Sequence, residues 1–379
     1  MKRFLKILKV TGGIIAVLAI AVAITVYTVP AFGGDVAGER LARAKASPHH
    51  NGETFDNTVP QRPNEDGMAW ELLNRQLFGD EQREPPAPLP LVKPSKESIA
   101  LGDRDRLKAI WLGHASSFLH IDGVNILIDP VFSDVVSPLS FAGPRRLHPV
   151  PIDLDALPKI DAVLISHDHY DHLDMETAKR LAAKGAHFYV PLGVGAHLER
   201  WGISPKQFDE MEWGDERRAG PVRIVSTEAR HYSGRGLTNR NETFWSSWAV
   251  IGPSHRAYYS GDTGFSDHFA KIGKQYGPFD LSLIKIGAYG PGASWNDIHM
   301  SAEDAVRAHV AVGGKEMLPV HWATFNLAFH AWNEPIERAL AEAKRRNVRI
   351  LTPRLGEMVE AGGGFQSTVW WKLGASAAG

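Results

Sequence analysis

Hydrophobic and polar positions divide the chain into segments of different kinds. Residues 10–29 form an apolar run without charge, long enough to cross a lipid bilayer as a helix. Residues 31–67 are rich in polar residues, glycine and proline, which predicts a linker followed by irregular structure. Apolar residues at helical spacing predict a helix over 68–77, and from Leu107 onward the pattern changes to short strands.

Short runs of apolar and β-branched residues predict most of the domain that follows. The first three runs form a meander with a hairpin turn at Asp122-Gly123. Predicted strands cover 107–112, 118–121, 124–128, 161–166, 222–227, 257–260, 281–286 and 317–320. Helices are predicted over 175–184 and from the N-cap Ser301 to about Val312. This mixture of strands and helices is typical of α/β layers.

The N-terminal apolar run has a positive flank, formed by Lys2, Arg3, Lys6 and Lys9. Such a flank stays in the cytoplasm, so the chain beyond Pro30 is expected on the exported side, periplasmic or extracellular. The sequence from Val29 to Gly33 is a poor signal-peptidase site. We therefore expect residues 1–30 to be an uncleaved anchor; a cleaved signal and a buried core helix are the alternatives.

Composition narrows the classes of protein. The chain has 379 residues and a net charge of -1, which indicates a globular protein and argues against a nucleic-acid partner. It contains no cysteine, so a metal ion would need histidine, aspartate or glutamate as ligands. The 17 histidines are enough to provide such ligands. The oligomeric state is not indicated.

One nine-residue stretch, from Ser166 to Asp174, is exceptionally dense in imidazoles and carboxylates. It follows the predicted strand 161–166, and ligand sites of α/β layers lie at that end of their strands. A turn there can present one pair of donors to a metal ion and a second pair to a neighbouring ion. The first pair is His167 and His169, and the second is Asp171 and His172. Imidazole and carboxylate suit zinc, with iron or manganese as alternatives, whereas the competing interpretation is a solvated loop.

Three later strands repeat the same arrangement. The strand 222–227 leads to His231, the strand 257–260 leads to Asp262, and the strand 317–320 leads to His321. Neighbouring strands bring such ends together at one edge of a sheet. We therefore expect these three side chains to meet the donors of the first loop.

Five further residues have two readings each. His299, just before the helix that starts at Ser301, could donate to an anionic transition state or pack at the helix entry. His114 could line the site or be structural, and Asp129 could orient a ligand or close a turn. Arg145 and Arg146 could hold an anionic substrate or be ordinary surface charges.

With these motifs assembled, the chain resembles the metallo-β-lactamase superfamily, and within it the branch of phospholipases D that hydrolyse N-acylphosphatidylethanolamine. The resemblance extends from about residue 47 to about 360. It is carried by Trp111-Leu-Gly-His114, Asp129-Pro130, the stretch 161–174, Gly261-Asp-Thr-Gly264, Gly277-Pro-Phe-Asp280, Ile286-Gly-Ala-Tyr289 and His321-Trp-Ala-Thr-Phe325.

The resemblance implies a fold and a domain organisation. The fold is an α/β sandwich of the αββα type, with two mixed β-sheets flanked by helices and one transmembrane helix before them. The implied parts are an anchor or signal at 1–30, a linker and extension packing on the core at 31–105, the hydrolase domain at 106–363 and a tail at 364–379.

The resemblance also implies a site and an activity. His167, His169 and His231 would bind one Zn²⁺, while Asp171, His172 and His321 would bind another, and Asp262 would bridge them. A bridging hydroxide would attack a phospholipid or another anionic phosphodiester, and His299 and Asp171 are the candidate catalytic residues. The alternatives are hydrolysis of another ester, a lactone, a β-lactam, a thioester or a nucleotide phosphodiester, and a non-catalytic metal-binding envelope protein.

Overall fold

Two mixed β-sheets share one hydrophobic core at the centre of the molecule. The computed structural model describes residues 2–95, 99 and 105–372, and in this part of the chain it has 14 strands. The strands of the first sheet are β1 (Leu107–Gly113), β2 (Ser116–Ile121), β3 (Val124–Ile128), β4 (Ala162–Leu164), β5 (His187–Pro191), β6 (Phe208–Met211) and β14 (Met358–Glu360). Their order is β14-β1-β2-β3-β4-β5-β6.

The second sheet also has seven strands, and its antiparallel and parallel halves are arranged as in the first sheet. Its strands are β7 (Glu216–Ala219), β8 (Val222–Thr227), β9 (Ser247–Ile251), β10 (Arg256–Tyr259), β11 (Phe279–Lys285), β12 (Gly314–Val320) and β13 (Arg349–Ile350). The order is β13-β12-β11-β10-β9-β8-β7. In each sheet one half is antiparallel, and the strands from β3 to β6 and from β10 to β13 are parallel.

Side-chain alternation along the strands explains the layers. On β1, Ala109 and Trp111 belong to the core between the sheets, whereas Ile110 and Leu112 face a second core on the outer side of the first sheet. Helices cover both outer faces: α4 (Met175–Ala183), α5 (Gly195–Arg200), α6 (His268–Tyr276), α7 (Ala293–Asn296), α8 (Ala302–Ala311) and α9 (Glu334–Arg346). The prediction of two mixed sheets flanked by helices is confirmed.

The N-terminal part of the described chain has three helices: α1 (Lys2–Thr28), α2 (Gly38–Ala46) and α3 (Met68–Phe78). Helix α1 is long and apolar enough to cross a membrane, and its window Thr11–Thr28 is not buried in the protein. Helix α3 confirms the helix predicted over 68–77. The expectation of a linker and irregular structure over 31–67 was wrong for α2, whose Arg40 forms ion pairs with Glu199 and Glu210.

The end of the chain also packs on the core as far as it is described. Trp371 is buried and donates a hydrogen bond from Nε1 to Glu337 Oε1 at 2.7 Å, and Trp370 packs against Trp322. Residues 364–372 of the expected tail thus lie against the hydrolase domain. Residues 373–379 lie outside the described residues. The domain boundaries stay predictions.

Candidate metal centre

The loop after β4 owes its conformation to a buried aspartate. Asp129 accepts hydrogen bonds from Ser166 N at 2.7 Å, Ser166 Oγ at 2.5 Å and Tyr259 OH at 2.5 Å. Its Oδ2 also lies 2.7 Å from His172 Nδ1, so Nδ1 donates to Asp129 and Nε2 is the ring atom left for a metal ion. Asp129 therefore orients a ligand candidate, which was one of its two readings.

The second sheet positions the single donors by backbone contacts. His231 Nδ1 lies 2.9 Å from Ile298 O, a carbonyl that can only accept, so this ring also presents an unprotonated Nε2. His321 follows β12 directly with a φ of 65°, and its N–H donates to His114 O at 2.8 Å. A positive φ in a residue other than glycine is strained, and such strain is concentrated at functional sites.

Three imidazoles form the first donor group. His169 Nδ1 lies 2.7 Å from His167 Nε2 and 3.4 Å from His231 Nε2. All three ligand atoms lie within 4.8 Å of one another, although His231 comes from the other sheet. This spacing is suitable for a single ion.

The second donor group contains Asp171, His172 and His321, together with His114. Asp171 Oδ2 lies 2.8 Å from His114 Nε2, 3.5 Å from His172 Nε2 and 3.6 Å from His321 Nε2. His114 therefore lines the site, which resolves its two readings. Its hydrogen bond to Asp171 makes it a positioning residue for that carboxylate.

Asp262 lies between the two groups. Its Oδ2 is 3.1 Å from His321 Nε2 and 3.3 Å from His172 Nε2 on one side, and 4.0 Å from His231 Nε2 on the other. The side chain is almost completely buried. The structure thus brings together all seven residues that the sequence and the resemblance singled out as ligands, with the Asp262 carboxylate between the two groups.

Some of the donor atoms fit a metal site because they are buried without a hydrogen-bond partner. Within the described residues, Asp262 Oδ1, His172 Nε2 and His321 Nε2 are buried side-chain atoms without a hydrogen bond. Burying such atoms unpaired costs free energy, about 1–3 kcal/mol each. A donor set of nitrogen and oxygen without sulfur suits zinc, iron or manganese.

The protonation states of the site residues also favour a bound cation. Burial, with neighbouring imidazoles, holds the pKa values of His167 and His231 well below their usual range, so both are neutral, which is the ligand form. Burial opposes ionisation of Asp171 and Asp262, but the surrounding imidazoles outweigh it and hold both pKa values well below normal. Burial also opposes protonation of His172, yet Asp262 and Asp171 raise its pKa well above normal. The two carboxylates therefore favour positive charge here.

Sequence reasoning missed Lys285, the last residue of β11. Its side chain is buried, and Nζ lies 2.7 Å from His299 Nδ1. His299 Nδ1 in turn lies 3.5 Å from Asp262 Oδ2, so this histidine belongs to the site and does not merely pack at the entry of α8. Burial lowers the pKa of Lys285 to about 8, which leaves it mostly charged at neutral pH. The signal was a lysine within the predicted strand 281–286, whose other residues are apolar except Ser282.

The two arginines near the site differ. Arg146 is mostly buried, donates Nη2–H to Val131 O at 2.6 Å and lies over the Phe325 ring at 4.9 Å. Burial lowers its pKa to about 10. Arg146 therefore stabilises the loop after β3, which contains Val131. Arg145 lines a cavity of about 330 Å³ that also reaches Tyr170 and Arg235.

A protein-family model described as "Beta-lactamase superfamily domain" matches residues 124–322. This range includes all seven candidate ligands and Lys285.

Full-length relatives show wider similarity. An uncharacterized protein of Mycobacterium tuberculosis (strain ATCC 25618 / H37Rv) is 45% identical over 356 residues, which cover 91% of this chain and 93% of the relative. A protein of Caenorhabditis elegans named N-acyl-phosphatidylethanolamine-hydrolyzing phospholipase D 1 is 37% identical over 270 residues, 67% of this chain and 76% of that protein. Among solved structures, Igni18, a metallo hydrolase of Ignicoccus hospitalis, superimposes with a TM-score of 0.52 at 22% identity, covering 69% of this chain and 99% of that one. The last comparison supports the fold.

Proposed function

This chain belongs to the β-lactamase superfamily and is a metal-dependent hydrolase, and from that premise we propose that it is a phospholipase D-type phosphodiesterase. The proposed substrates are phospholipids of the N-acylphosphatidylethanolamine kind, as in the name of the C. elegans relative. The observation that carries the proposal is the place of Asp262, within 4.0 Å of histidines from both donor groups.

The proposed centre holds two Zn²⁺ ions, although iron or manganese would suit the same donors. The first ion would be held by His167, His169 and His231, the second by Asp171, His172 and His321, and Asp262 would serve both. Such a pair, when bound, supplies a water of lowered pKa and stabilises the negative charge that develops on a phosphodiester. With only two carboxylates among seven ligands, the loaded site stays cationic and favours an anionic substrate.

His299 and Lys285 would act on the substrate side. The Lys285 ammonium can only donate, so at 2.7 Å it fixes His299 Nδ1 as an acceptor and leaves the ring proton on Nε2. Burial and the charge of Lys285 hold the pKa of His299 well below normal, so the ring is neutral. His299 would then donate its Nε2–H to a phosphoryl oxygen in the transition state.

Asp171 has less freedom for a catalytic role of its own. Its Oδ2 already faces three imidazoles at 2.8 to 3.6 Å. We therefore propose it first as a ligand, and proton transfer by Asp171 stays a secondary hypothesis.

Location agrees with a lipid substrate. We propose that α1 anchors the protein in a membrane, with the catalytic domain on the exported side, because four basic residues precede the apolar run. An anchored site meets lipid headgroups at high effective concentration.

The test is a substrate panel offered to the purified full chain: an N-acylated phosphatidylethanolamine, a p-nitrophenyl phosphodiester and a lactone. We expect hydrolysis of the first two and its loss in His169→Ala. The control is His187→Ala, since His187 pairs with Asp209 on the surface, away from the site. Turnover of the lactone alone would refute the phosphodiesterase proposal, and fewer than about one metal equivalent per chain would favour a non-catalytic protein.

A further inference from the structure

We infer that the exit segment, Val29–Gly34, where the chain leaves the apolar helix α1, forms part of the support of the metal-binding loop. The inference rests on the metal centre of the proposed function. It assigns positioning roles to two buried side chains, Arg235 and His197, each of which contacts the exit segment on one side and the metal-binding loop on the other. Neither residue was among the candidates of the sequence.

Arg235 forms the first connection. Its Nε donates to Ala31 O at 3.0 Å, and its Nη1 donates to Asp168 O at 2.6 Å and to Leu173 O at 2.8 Å. Asp168 lies between His167 and His169, and Leu173 follows His172, so one guanidinium spans the whole ligand loop. It is buried and lies over the rings of Tyr170 and Trp201 at 4.0 and 5.1 Å. The fixed fork of arginine suits such a connection, and lysine cannot reproduce it.

His197 on α5 forms the second connection. Gly34 N–H donates to His197 Nδ1 at 3.0 Å, which places the ring proton on Nε2, 3.1 Å from Asp168 Oδ2. Asp168 also accepts from Gly234 N at 2.7 Å and from Thr243 Oγ1 at 2.9 Å. The backbone of the exit segment thus sets the tautomer of His197. In that tautomer His197 donates to Asp168, which lies between the two ligand histidines of the loop.

The exit segment is held closely along its length. Trp201 Nε1 donates to Pro30 O at 2.7 Å, and Arg200 Nη2 donates to Tyr27 O at 2.6 Å, at the end of α1. A Cβ atom on Gly34 would lie 2.4 Å from Ala196 O, so the segment is pressed against α5. Cleavage after Ala31 would separate Tyr27, Pro30 and Ala31 from the domain and remove the hydrogen bonds that they accept from Arg200, Trp201 and Arg235.

The consequence is a reciprocal coupling between metal and exit segment. If the contacts of the exit segment increase the metal affinity, metal binding must stabilise those contacts by the same free energy. This can be measured on the unmodified full chain in detergent micelles. We expect hydrogen exchange of peptides covering residues 29–36 to slow by roughly 5-fold or more when Zn²⁺ is added to chelator-treated protein. Equal exchange rates with and without Zn²⁺ would overturn the inference.

Two variants test the connections separately. Arg235→Lys keeps the charge and loses the fork, while His197→Gln keeps a donor for Asp168 but moves the acceptor away from Gly34 N–H, because the amide oxygen of glutamine does not occupy the place of the imidazole Nδ1. We expect both to weaken Zn²⁺ affinity, measured by competition with a chelator, by about 10–100-fold, the usual effect of residues that orient ligands. The matched controls are Arg217→Lys and His187→Gln, whose side chains both pair with Asp209 on the surface.

Affinities of both variants within about twofold of the parent chain would refute these roles. If either variant fails to fold, the exchange experiment on the parent chain still decides. A chain that binds no Zn²⁺ contradicts both this inference and the proposed function. Metal binding with the expected coupling but without phosphodiesterase activity contradicts the proposed function alone.

Discussion

The two sheets contribute to the metal centre in different ways. The first sheet gives four donors from one loop after β4, within the six residues from His167 to His172. The second gives one side chain from each of four strands: His231 after β8, Asp262 after β10, Lys285 at the end of β11 and His321 after β12. One contribution is local in the chain, and the other exists only when the sheet has formed.

Both donor groups therefore depend on residues of the second sheet. The loop alone can bring two or three donors to an ion, but each donor group is completed by a histidine of the second sheet. Asp262 is the residue that contacts histidines of both groups. We therefore expect the second sheet to decide whether there are two ions in one centre.

The largest effect should come from Asp262→Asn. The variant keeps the shape of the side chain but loses the negative charge that faces His172, His231 and His321. The loop after β4 and the second sheet should then no longer bind the same ions. We expect hydrolysis to fall by roughly 10³-fold or more, with less than half of the bound metal retained. Turnover and metal content are measured on the same preparation.

Asp280→Asn is the matched control, because Asp280 lies at the other end of the neighbouring strand and pairs with Lys315 at 2.8 Å. It should leave both values unchanged. If Asp262→Asn retained full metal content and activity, the second sheet would not join the two donor groups.

A smaller effect is expected for Lys285→Met, which removes the charge beside His299 and keeps an unbranched apolar side chain in a buried place. Because Lys285 orients His299, the proposed proton donor, and not one of the seven proposed ligands, kcat should fall by about 10²-fold while the metal content stays the same. Lys285→Arg should restore part of the activity. Loss of metal together with activity would instead make Lys285 a structural support of the centre.

Lys315→Met is the control for this prediction, since Lys315 is exposed at the opposite end of β12. It should behave like the parent chain in both measurements.

The local contribution was the easier one to predict from sequence. The loop from Ser166 to Asp174 is a contiguous motif, and the strand before it was apparent from its apolar run. His231, Asp262 and His321 were predicted because three strands lead to one donor each. Lys285 was missed although β11 follows the same pattern, because a lysine is usually a solvated surface residue and its burial depends on the neighbouring strands.

Contacts between distant segments were beyond sequence reasoning. Asp129 had two readings because the groups that donate hydrogen bonds to its carboxylate come from β10 and the metal loop, far along the chain. Helix α2 was missed because it is short, with Leu41 as its only large apolar residue, and because its Arg40 pairs with Glu199 and Glu210 from a distant part of the chain. Most of the central strands were predictable because short runs of apolar and β-branched residues mark them, whereas the arrangement in two sheets was implied by the family resemblance.

The smallest effect is expected at His309, on a helix that covers the second sheet. This residue shows that a buried histidine is not by itself a metal ligand. His309 on α8 is as buried as the candidate ligands, but its Nδ1 contacts Ser282 Oγ at 2.7 Å instead of another imidazole or a carboxylate. Burial lowers its pKa to about 4, so it is neutral in the folded protein at pH 7. His309→Gln should therefore leave metal content and turnover unchanged.

The same variant should change how stability depends on pH. In the unfolded chain His309 takes up a proton below its ordinary pKa of about 6.5, whereas the folded chain does so only near 4, so stability is lost as pH falls between these values. The loss amounts to roughly 2 kcal/mol at pH 5 relative to pH 7.5. Urea unfolding at both pH values should show His309→Gln losing less stability than the parent chain by this amount. Since metal release at low pH affects both proteins alike, an equal loss in the two would mean that His309 takes up a proton as readily in the folded protein as in the unfolded chain.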